Sequence, residues 1–387
     1  MRAIIAGGGT GGHLFPAVAL AEELRRRCTD LPLLFVGVEG GVEASLLSRR
    51  GWDFEEIRAS GLQGKRLMSQ IRSLTLIPSG LNRSLAILRR FRPDVVVGFG
   101  GYASAAMVLS GVLTRIPTVI HEQNAFPGLA NRWLGKIVDR VAVAFEGASD
   151  FFPEGKVCVT GNPIRAELFG VSKAEAVARL GLDQNRLSIL IFGGSQGAHR
   201  LNQAVMQALP MLTDERERIQ FIHATGPRDL STVRQGYHAA GYQAAVEPFF
   251  QTMAVTYAAA DLCFCRSGAG TVAELCALGK PSVLIPFPFA ANDHQRYNAE
   301  ALVASGGARM VLDRELSGTT VAEIIRTFLR DGKGLAVMAS MAKALAKLDA
   351  AACLADLVTL TASRVPRDGF QVLSPDLRSG ARNCGHV

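Results

Sequence analysis

The sequence predicts an α/β protein with two Rossmann-like, doubly wound parallel-sheet domains that face a central cleft. The first observation is a pair of glycine-rich turns, at 7–12 and 193–197, that each follow an apolar run directly. The second is an alternation of short apolar runs with helix-like segments in both halves of the chain. The third is the length of 387 residues, which fits two domains of about 150–200 residues each.

Continuous apolar runs in the first half predict strands of a parallel sheet that is covered on both faces. We predict strands at 2–6, 32–37, 94–98, 117–121 and 138–144, with helices near 13–27, 42–50, 82–91 and 102–114. For the second half we predict strands near 187–192, 219–224, 261–265 and 281–285, with helices near 229–240, 252–259, 271–278 and 295–304. This alternation implies right-handed crossovers and ligands outside the carboxyl ends of the strands.

The predicted division of the chain follows from these elements. Gly161-Asn162-Pro163 is interpreted as the hinge, which gives an N-terminal domain over 1–161 and a C-terminal domain over 162–345. The Ala-rich stretch 334–363 predicts terminal helix, with a separate C-terminal helix at 346–364. Pro, Gly, Ser and Arg dominate 365–387 without periodicity, so this tail is predicted to be disordered.

Charge and cysteine usage narrow the class of protein. The net charge of +8 favours polyanionic partners, but no segment interleaves basic and aromatic residues, so we expect no nucleic acid. None of the seven cysteines shows zinc spacing, which predicts reduced, buried thiols and neither a metal ion nor a cofactor. The chain opens on a predicted strand without a charged leader and apolar segment, so no signal peptide is expected.

The first glycine turn admits two interpretations. Its glycines put bare backbone at a helix N-terminus, where N–H groups attract phosphate, and His13 at the helix start is positioned to take a proton from an acceptor hydroxyl. The alternative is a histidine that only caps or lines the turn. Gly7, Gly9 and Gly12 also match G-x-G-x-x-G, so a dinucleotide-binding oxidoreductase with Glu39 on the ribose is a rival hypothesis.

A third glycine-containing segment, 266–274, follows the predicted strand 261–265. Thr271 is predicted to begin a helix, and Glu274 one turn further in would accept the hydroxyl protons of a ribose; the alternative is a favourable interaction of Glu274 with the helix dipole. Arg266 either neutralises a pyrophosphate or pairs with a neighbouring acid.

Two polar clusters follow apolar strands at the predicted carboxyl edges. In 286–295, Asp293 and Gln295 are candidates for hydrogen bonds to sugar hydroxyls, whereas a helix N-cap by Asn292 or Asp293 is the competing explanation for one of them. His121-Glu122-Gln123-Asn124 occupies the matching place in the first domain. Consecutive polar side chains there are costly unless they meet a ligand or water.

The stretch 58–92 contains eight cations and no anion, with apolar residues interspersed. This composition suits a surface that rests on anionic lipid. The alternative is a solvated basic face over an ordinary core helix. The cations are Arg58, Lys65, Arg66, Arg72, Arg83, Arg89, Arg90 and Arg92.

Six motifs occur together and in one order, and as a set they are highly specific. They are Gly8-Gly9-Thr10-Gly11-Gly12-His13, Gly100-Gly101-Tyr102, His121-Glu122-Gln123-Asn124, Gly161-Asn162-Pro163-Ile164-Arg165, Gly193-Gly194-Ser195-Gln196-Gly197 and 266–274. Over residues 1–360 the chain closely resembles the MurG family of bacterial N-acetylglucosaminyltransferases, which convert lipid I to lipid II in peptidoglycan synthesis. The resemblance implies a GT-B fold and a cytoplasmic enzyme bound peripherally to the inner membrane.

The resemblance also implies a set of site residues. His13 matches the family's candidate base, Glu274 would bind the ribose, Gln295 the sugar, and the main chain at Phe250 the uracil. The implied contacts to UDP-N-acetylglucosamine are at Thr10, Gly11, Gly12, Asn124, Arg165, Ser195, Phe250, Ala269, Gly270, Thr271, Val272, Ala273, Glu274 and Gln295. Arg266, the pyrophosphate candidate named above, completes the predicted set of substrate-binding residues. The chain departs from the family pattern at Phe250, where an aliphatic residue is common, and at Arg296, where a small polar or amide residue often stands.

The implied reaction is an inverting displacement at the anomeric carbon of UDP-N-acetylglucosamine by the C4 hydroxyl of the muramyl sugar of lipid I. Helix N-terminal amides at Ser195-Gln196 and around Ala269-Gly270 would stabilise the leaving diphosphate without a metal ion. Two alternatives remain open: the NAD-dependent oxidoreductase, which leaves 193–197 and 266–274 unexplained, and a UDP-N-acetylglucosamine epimerase of the same architecture.

Overall fold

The computed structural model describes residues 1–9, 11–57, 67–194 and 196–363. Its first sheet is entirely parallel, with strands in the order β3-β2-β1-β4-β5-β6-β7. The strands are β1 (Ala3–Ala6), β2 (Leu33–Val38), β3 (Phe54–Ile57), β4 (Val95–Gly98), β5 (Thr118–Glu122), β6 (Arg140–Val143) and β7 (Val157–Val159). The helices between them are α1 (Gly11–Arg27), α2 (Val42–Arg49), α3 (Leu67–Phe91), α4 (Tyr102–Leu113) and α5 (Leu129–Leu134).

The second sheet is also parallel, with strands in the order β10-β9-β8-β11-β12-β13. Its strands are β8 (Leu187–Phe192), β9 (Ile219–Ala224), β10 (Ala244–Glu247), β11 (Leu262–Cys265), β12 (Ser282–Leu284) and β13 (Ala308–Met310). The helices from the hinge onward are α6 (Lys173–Arg179), α7 (His199–Ala208), α8 (Leu230–Ala240), α9 (Met253–Ala259), α10 (Ala269–Leu278), α11 (His294–Ala304), α12 (Gly318–Arg330), α13 (Gly332–Ala344) and α14 (Ala350–Ala362).

Both sheets have the doubly wound strand order that runs outward from a central strand in two directions, so the predicted fold class is confirmed. The order reverses beside β1 in the first sheet and beside β8 in the second. The two glycine turns follow these two strands directly. Each turn therefore lies at the carboxyl edge where an open parallel sheet forms its ligand crevice.

The apolar strands are buried on both faces. On one side of the first sheet, Ile5 and Val97 pack with Leu20 of α1; on the other, Ile4 and Val96 pack with Met107 of α4. Alternate residues of one strand thus enter opposite layers, as the continuous apolar runs predict. This double burial fixes β1 and β4, and with them the loops at their carboxyl ends.

The last described helix, α14, belongs to the core of the first domain. Leu354, Leu357 and Val358 are buried with α1 residues, and Arg27 of α1 donates to the Ala352 carbonyl at 3.0 Å. The chain therefore crosses from the second domain back to the first. The structure ends the Ala-rich helix at Ala344 and begins α14 at Ala350, so helix over the whole of 334–363 is wrong.

Four strands are absent from our predictions, and all four lie at sheet edges. β3, β7, β10 and β13 contain only three or four residues each, with polar residues in three of them, so their apolar signal is weak. The helix predicted near 82–91 begins earlier in the structure, at Leu67. Pro78 and Gly80, which normally end a helix, lie within it, and for this reason the sequence predicts a shorter helix.

The domain limits 1–161 and 162–345 remain predictions. The predicted tail over 365–387 lies outside the described residues. Of the described cysteines, Cys263, Cys265 and Cys276 are buried, as predicted, whereas Cys28 is exposed. Within the described part of the chain, no helix is both long and apolar enough to span a membrane.

Candidate functional site

The first glycine turn places His13 against the loop that follows β4. The His13 Nδ1 atom lies 3.2 Å from the Gly8 carbonyl oxygen. A Cβ atom added to Gly100 would lie 3.0 Å from Nε2 of His13, and Gly100 has a φ of +95°, a conformation that favours glycine. With its proton on Nδ1, the imidazole donates to Gly8 and keeps on Nε2 the lone pair that a general base needs. The structure thus brings together the first and second predicted motifs.

Most of the polar residues at the end of β5 make hydrogen bonds to other parts of the protein. The buried His121 Nε2 atom donates to the Gly161 carbonyl at 3.0 Å, and its Nδ1 accepts from Gln123 at 3.1 Å. Burial lowers the pKa of His121 from 6.5 to about 4, so the ring is neutral near pH 7. His121 therefore connects the end of β5 to the predicted hinge.

Glu122 organises the loop that carries Asn124. One carboxylate oxygen accepts from the backbone and side-chain N–H groups of Asn124 at 2.9 and 3.1 Å. The other accepts from Gly128 N at 3.1 Å and from the Asn131 amide at 2.9 Å. These bonds account for a carboxylate that is only 2% exposed. Of the four consecutive polar residues, Asn124 is the one placed at the domain junction.

Asn298 of α11 joins the two domains. Its Nδ2 donates to Asn124 Oδ1 at 3.1 Å and to the Ser267 carbonyl at 3.2 Å, while its Oδ1 accepts from Ala125 N at 2.8 Å. Beside it, Tyr297 stacks on Phe126 at a centroid distance of 5.1 Å. The loop after β5 is therefore held against the segment that precedes α10.

Arg165 and Glu274, which are both predicted to contact UDP-N-acetylglucosamine, lie next to each other. Arg165 Nη2 is 3.5 Å from one carboxylate oxygen of Glu274, and the Tyr257 hydroxyl donates to the other oxygen at 2.9 Å. The Arg165 guanidinium also lies 4.2 Å from the ring centroid of Phe15 in α1. Burial raises the pKa of Glu274, and the Arg165 charge opposes that shift.

The hinge motif also leaves buried polar atoms without a partner. Among the described residues, nothing pairs with either side-chain amide atom of Asn162 or with Nε of Arg165. Buried groups of this kind normally meet water or a ligand, so these atoms are available to one.

Arg266 pairs with a neighbouring acid, which is one of the two alternatives set out from the sequence. Its Nη1 lies 2.6 Å from Asp313 and donates to the carbonyl oxygens of Ile285 and Pro286 at 3.2 and 3.1 Å. Arg266 thereby connects the end of β11 with the loop after β12. A role on the pyrophosphate remains a prediction.

The helix N-termini at the site differ from the predicted ones. α1 begins at Gly11, so Gly11 and Gly12 are its first residues, and α10 begins at Ala269, two residues before the predicted Thr271. Gly270, Thr271 and Val272 follow Ala269 in the first turn of α10, with Ala273 and Glu274 next. The first backbone N–H groups of α1 and α10 have no intrahelical partner and are available to an anion, but the Val272 N–H already donates to the Gly268 carbonyl at 3.0 Å.

The second glycine turn is not the start of a helix. α7 begins only at His199, so Gln196 lies in the turn that precedes it, and the predicted helix N-terminal amide at Gln196 is wrong. The turn still supplies backbone without side chains, because Gly194 and Gly197 have φ values of +90° and +75°. Thr10 and Ser195 lie outside the described residues.

The segment 286–295 presents Gln295 beside two left-handed residues. The Gln295 side chain accepts from the backbone N–H of Phe287 at 3.0 Å. Asn292 and Asp293 have φ values of +52° and +54°. Asp293 stands at the N-cap of α11 but makes no side-chain cap, so the capping explanation is wrong for Asp293. Arg296 turns to solvent and pairs with Glu300 at 2.8 Å.

Three further predicted features are Phe250, the basic stretch 58–92 and Glu39. Phe250 is buried in the core of the second domain. Of the eight cations in 58–92, only Arg83, Arg89, Arg90 and Arg92 have described side chains, and Arg83 and Arg90 both pair with Glu55. Glu39, the ribose ligand of the oxidoreductase hypothesis, lines a cavity of about 560 Å³ with Glu55, Glu56 and Arg83.

Sequence reasoning missed three residues that hold the site together: Tyr257, Asn298 and Asp313. Tyr257 and Asn298 lie inside helices, where the periodicity assigns them to packing. Asp313 follows β13, a strand we did not predict. The sequence signal that could have found Asn298 is an amide side chain within the predicted helix 295–304. If such a side chain is buried, it requires hydrogen-bond partners. Among the described residues, no group of three or more His, Cys, Asp or Glu side chains is placed to hold a metal ion.

The class of protein follows from comparison of both halves with known families. Residues 3–143 match the glycosyltransferase family 28 N-terminal domain, and residues 188–354 match the glycosyltransferase family 28 C-terminal domain. The chain therefore belongs to glycosyltransferase family 28.

Two relatives that cover most of this chain carry the same name. A protein of Geotalea daltonii is 45% identical over 360 residues, covering 93% of this chain and 97% of the relative. One of Geobacter sp. strain M21 is 47% identical over 366 residues, covering 94% and 97%. Both are called UDP-N-acetylglucosamine–N-acetylmuramyl-(pentapeptide) pyrophosphoryl-undecaprenol N-acetylglucosamine transferase.

Solved structures agree on the architecture. The crystal structure of Acinetobacter baumannii MurG superposes with a TM-score of 0.72 at 28% identity, covering 93% of this chain and 99% of that one. UDP-GlcNAc 2-epimerase from Neisseria meningitidis, bound to UDP-GlcNAc, gives a TM-score of 0.63 at 15% identity, covering 93% and 100%. The second likeness shows the fold alone. The predicted GT-B fold is confirmed.

Proposed function

We propose that this family 28 glycosyltransferase transfers N-acetylglucosamine from UDP-N-acetylglucosamine to the C4 hydroxyl of the muramyl sugar of lipid I, giving lipid II. The acceptor oxygen forms a bond to the anomeric carbon while the bond from that carbon to the β-phosphate oxygen breaks. The configuration inverts, the hydroxyl proton passes to a base, and UDP leaves.

The observation that carries this proposal is the connection through Asn298. It ties the Asn124 loop of the first domain to Ser267, which directly precedes the N-terminal end of α10. An acceptor bound beside His13 and a donor bound at α10 would thus be presented to each other by one hydrogen-bonded junction. Holding two substrates in a fixed relative position is a large part of catalysis in a group transfer.

The donor site we infer is centred on Glu274. Its carboxylate, held by Arg165 and Tyr257, retains lone pairs for the two hydroxyls of a ribose. The uracil would lie at the main chain of Phe250 and the sugar at Gln295. The N-terminal amides of α10, from Ala269 to Thr271, would face the diphosphate together with the second glycine turn.

The chemical step needs a proton acceptor and stabilisation of the leaving group. We infer that His13 takes the acceptor proton on Nε2, because its Nδ1 is directed to the Gly8 carbonyl. Negative charge that develops on the β-phosphate would be met by fixed backbone N–H groups, which need no reorganisation during the reaction.

The proposed place of action is the cytoplasmic face of the inner membrane, with the protein bound peripherally. Lipid I carries its undecaprenyl chain in that membrane, so the acceptor sugar is reachable only near the surface. The cations of 58–92 would bind the anionic headgroups at about 1 kcal/mol each.

The test incubates purified protein with labelled UDP-N-acetylglucosamine, with and without a lipid I analogue. Labelled lipid product only in the presence of the analogue supports the proposal. Consumption of the donor at the same rate without the analogue indicates epimerisation or hydrolysis and contradicts it. A parallel titration with NADH, followed by fluorescence, tests the oxidoreductase hypothesis, which predicts binding.

A further inference from the structure

Behind the second glycine turn lies a chain of buried hydrogen bonds that the proposed reaction does not use directly. The Tyr237 hydroxyl of α8 lies 3.0 Å from Nδ1 of His223 on β9, and His223 Nε2 lies 3.0 Å from Oδ1 of Asn202 on α7. All three residues are at most 2% exposed. Tyrosine donates to Nδ1 and Nε2–H donates to the asparagine oxygen, which satisfies every atom in the chain.

The protonation of His223 does not change near neutral pH. Burial lowers the pKa of His223 from 6.5 to about 3, so the ring remains neutral. The Thr225 carbonyl and the Asp229 carboxylate can only accept, so the Asn202 nitrogen faces them and its oxygen faces His223. His223 therefore donates from Nε2 to Asn202 and accepts on Nδ1 from the Tyr237 hydroxyl.

The oriented amide of Asn202 then reaches the loop after β9. Its Nδ2 donates to the Thr225 carbonyl and to the Asp229 carboxylate, at 2.8 Å in each case. Asp229 stands at the N-cap of α8 but does not cap it. Its oxygens instead lie 2.9 Å from Nδ1 of His199, the first residue of α7. The network thus holds the Thr225 carbonyl and the start of α7 in a fixed relation.

The Thr225-Gly226 backbone is the surface on which the second glycine turn rests. A Cβ atom on Gly197 would lie 2.0 Å from the Thr225 carbonyl oxygen, and one on Gly226 would lie 2.3 Å from the Gln196 carbonyl oxygen. Two backbone segments that approach this closely cannot move independently. A displacement of Thr225 would therefore be transmitted to the backbone of Gln196 and Gly197.

We propose that Asn202, held in place by the hydrogen bond from His223 and, behind it, by Tyr237, is a positioning residue for the diphosphate of a nucleoside diphosphate ligand. It acts through Thr225, which sets the position of the second glycine turn. The inference rests on the proposed function, because that function supplies the nucleoside diphosphate ligand. Its new content is that these residues determine the affinity for the diphosphate and not the affinity for the nucleoside.

The experiment compares dissociation constants for UDP and for uridine in the wild type and in two variants. Asn202→Ala removes the bonds to Thr225 and Asp229 and should raise the dissociation constant of UDP about tenfold, with that of uridine unchanged. Tyr237→Phe removes only the hydroxyl that donates to His223, keeps the ring packing, and should raise the UDP constant by about threefold.

Gln220 provides a matched control on the same strand. It is fully buried and makes three hydrogen bonds, to Asp183 and Ser188, at the other end of β9. Gln220→Leu should lower the melting temperature and leave the ratio of the UDP and uridine constants unchanged. A ratio that stays constant in both network variants, or that shifts equally in Gln220→Leu, overturns the inference. A wild type that binds uridine but not UDP overturns both this inference and the proposed function.

Discussion

The side-chain amide of Asn298 faces that of Asn124 across the domain junction, with Nδ2 of Asn298 3.1 Å from Oδ1 of Asn124. The same Asn298 amide also binds Ala125 and Ser267, so one buried side chain contacts the loop after β5 and the segment before α10. A residue with this position couples the two halves of the site by geometry alone.

Asn298→Ala should therefore impair the transfer reaction more than it impairs folding. The variant loses three hydrogen bonds at the junction, and we expect kcat/KM to fall by about tenfold to a hundredfold because the substrates are less well aligned. Steady-state kinetics with both substrates measure the effect. Asn185→Ala, at an exposed turn before β8, is the control. Equal kinetics in the two variants would contradict the role of Asn298.

His13→Ala should lower turnover by about 10²–10⁴-fold, the usual contribution of a general base. The dissociation constant of UDP should change little, since the variant keeps the backbone of the first turn. Single-turnover rates and calorimetric UDP titration separate the two quantities. His238→Ala, at an exposed position of α8, should alter neither. Unchanged turnover in His13→Ala would exclude this residue as the base.

Glu274→Ala should weaken UDP binding and remove the acceptor of the Tyr257 hydroxyl, whereas Arg165 keeps its pair with Glu167 at 2.8 Å. We expect an increase of about tenfold to a hundredfold in the dissociation constant for UDP, because a carboxylate makes the stronger class of hydrogen bond. The matched measurement uses 2′,3′-dideoxy-UDP, for which wild type and variant should bind alike. A loss of affinity that is the same for both nucleotides would reject the contact to the ribose.

His121 should make the fold sensitive to acid. Its folded pKa of about 4 lies below the ordinary 6.5, so between these values the unfolded chain binds the proton more tightly. The stability that depends on neutral His121 is present above pH 6.5 and is lost as the pH falls to 4, by up to about 3 kcal/mol.

Urea unfolding of wild type and His121→Gln across this range measures the effect of His121. The wild type should lose more stability on acidification than the variant. His223, whose low pKa acts in the same direction, is present in both proteins, so its contribution cancels from the comparison. Parallel pH profiles for the two proteins would show that His121 is not responsible.

Arg89 and Arg92 should contribute to binding of anionic vesicles. They are exposed cations of the basic stretch, and they can be replaced without releasing Glu55, the partner of Arg83 and Arg90. Arg89→Gln with Arg92→Gln should weaken binding by about 1 kcal/mol per charge, measured by cosedimentation. Arg330→Gln with Lys333→Gln removes the same charge from exposed positions of the second domain. If both double variants lose the same amount of vesicle binding, the proposed membrane-binding surface is wrong.

The sequence was sufficient for the fold class because the central strands are continuous apolar runs that each end in glycine. Ala3-Ile4-Ile5-Ala6 and Ser188-Ile189-Leu190-Ile191-Phe192 show this pattern most strongly. β3 (Phe-Glu-Glu-Ile) has two acids in four residues, so only tertiary pairing with β2 makes it a strand. The extent of α3 was hidden by Pro78 and Gly80, whose local preference the surrounding fold overrides.

The site was predictable only in part. Glycine turns and strand-end polar residues predict a ligand site at the carboxyl edges of the sheets. The structure places His13 and Asn124 beside those edges and brings Arg165 and Glu274 into contact with each other. The sequence could not show which polar side chains the fold itself uses. Arg266 is paired with Asp313, 47 residues later in the chain, and Glu122 is used to shape its own loop. Such pairings depend on how loops from separate strands meet.

The position of α14 has a consequence for synthesis on the ribosome. The core of the first domain contains Leu354, Leu357 and Val358, although the rest of that core is complete by Cys158. A nascent chain therefore cannot finish its first domain until α14, residues Ala350–Ala362, has emerged, whereas the second domain can close its own core beforehand. Premature termination anywhere before Ala350 would leave an exposed apolar face on α1 and β4, and such truncated products should depend on chaperones for solubility.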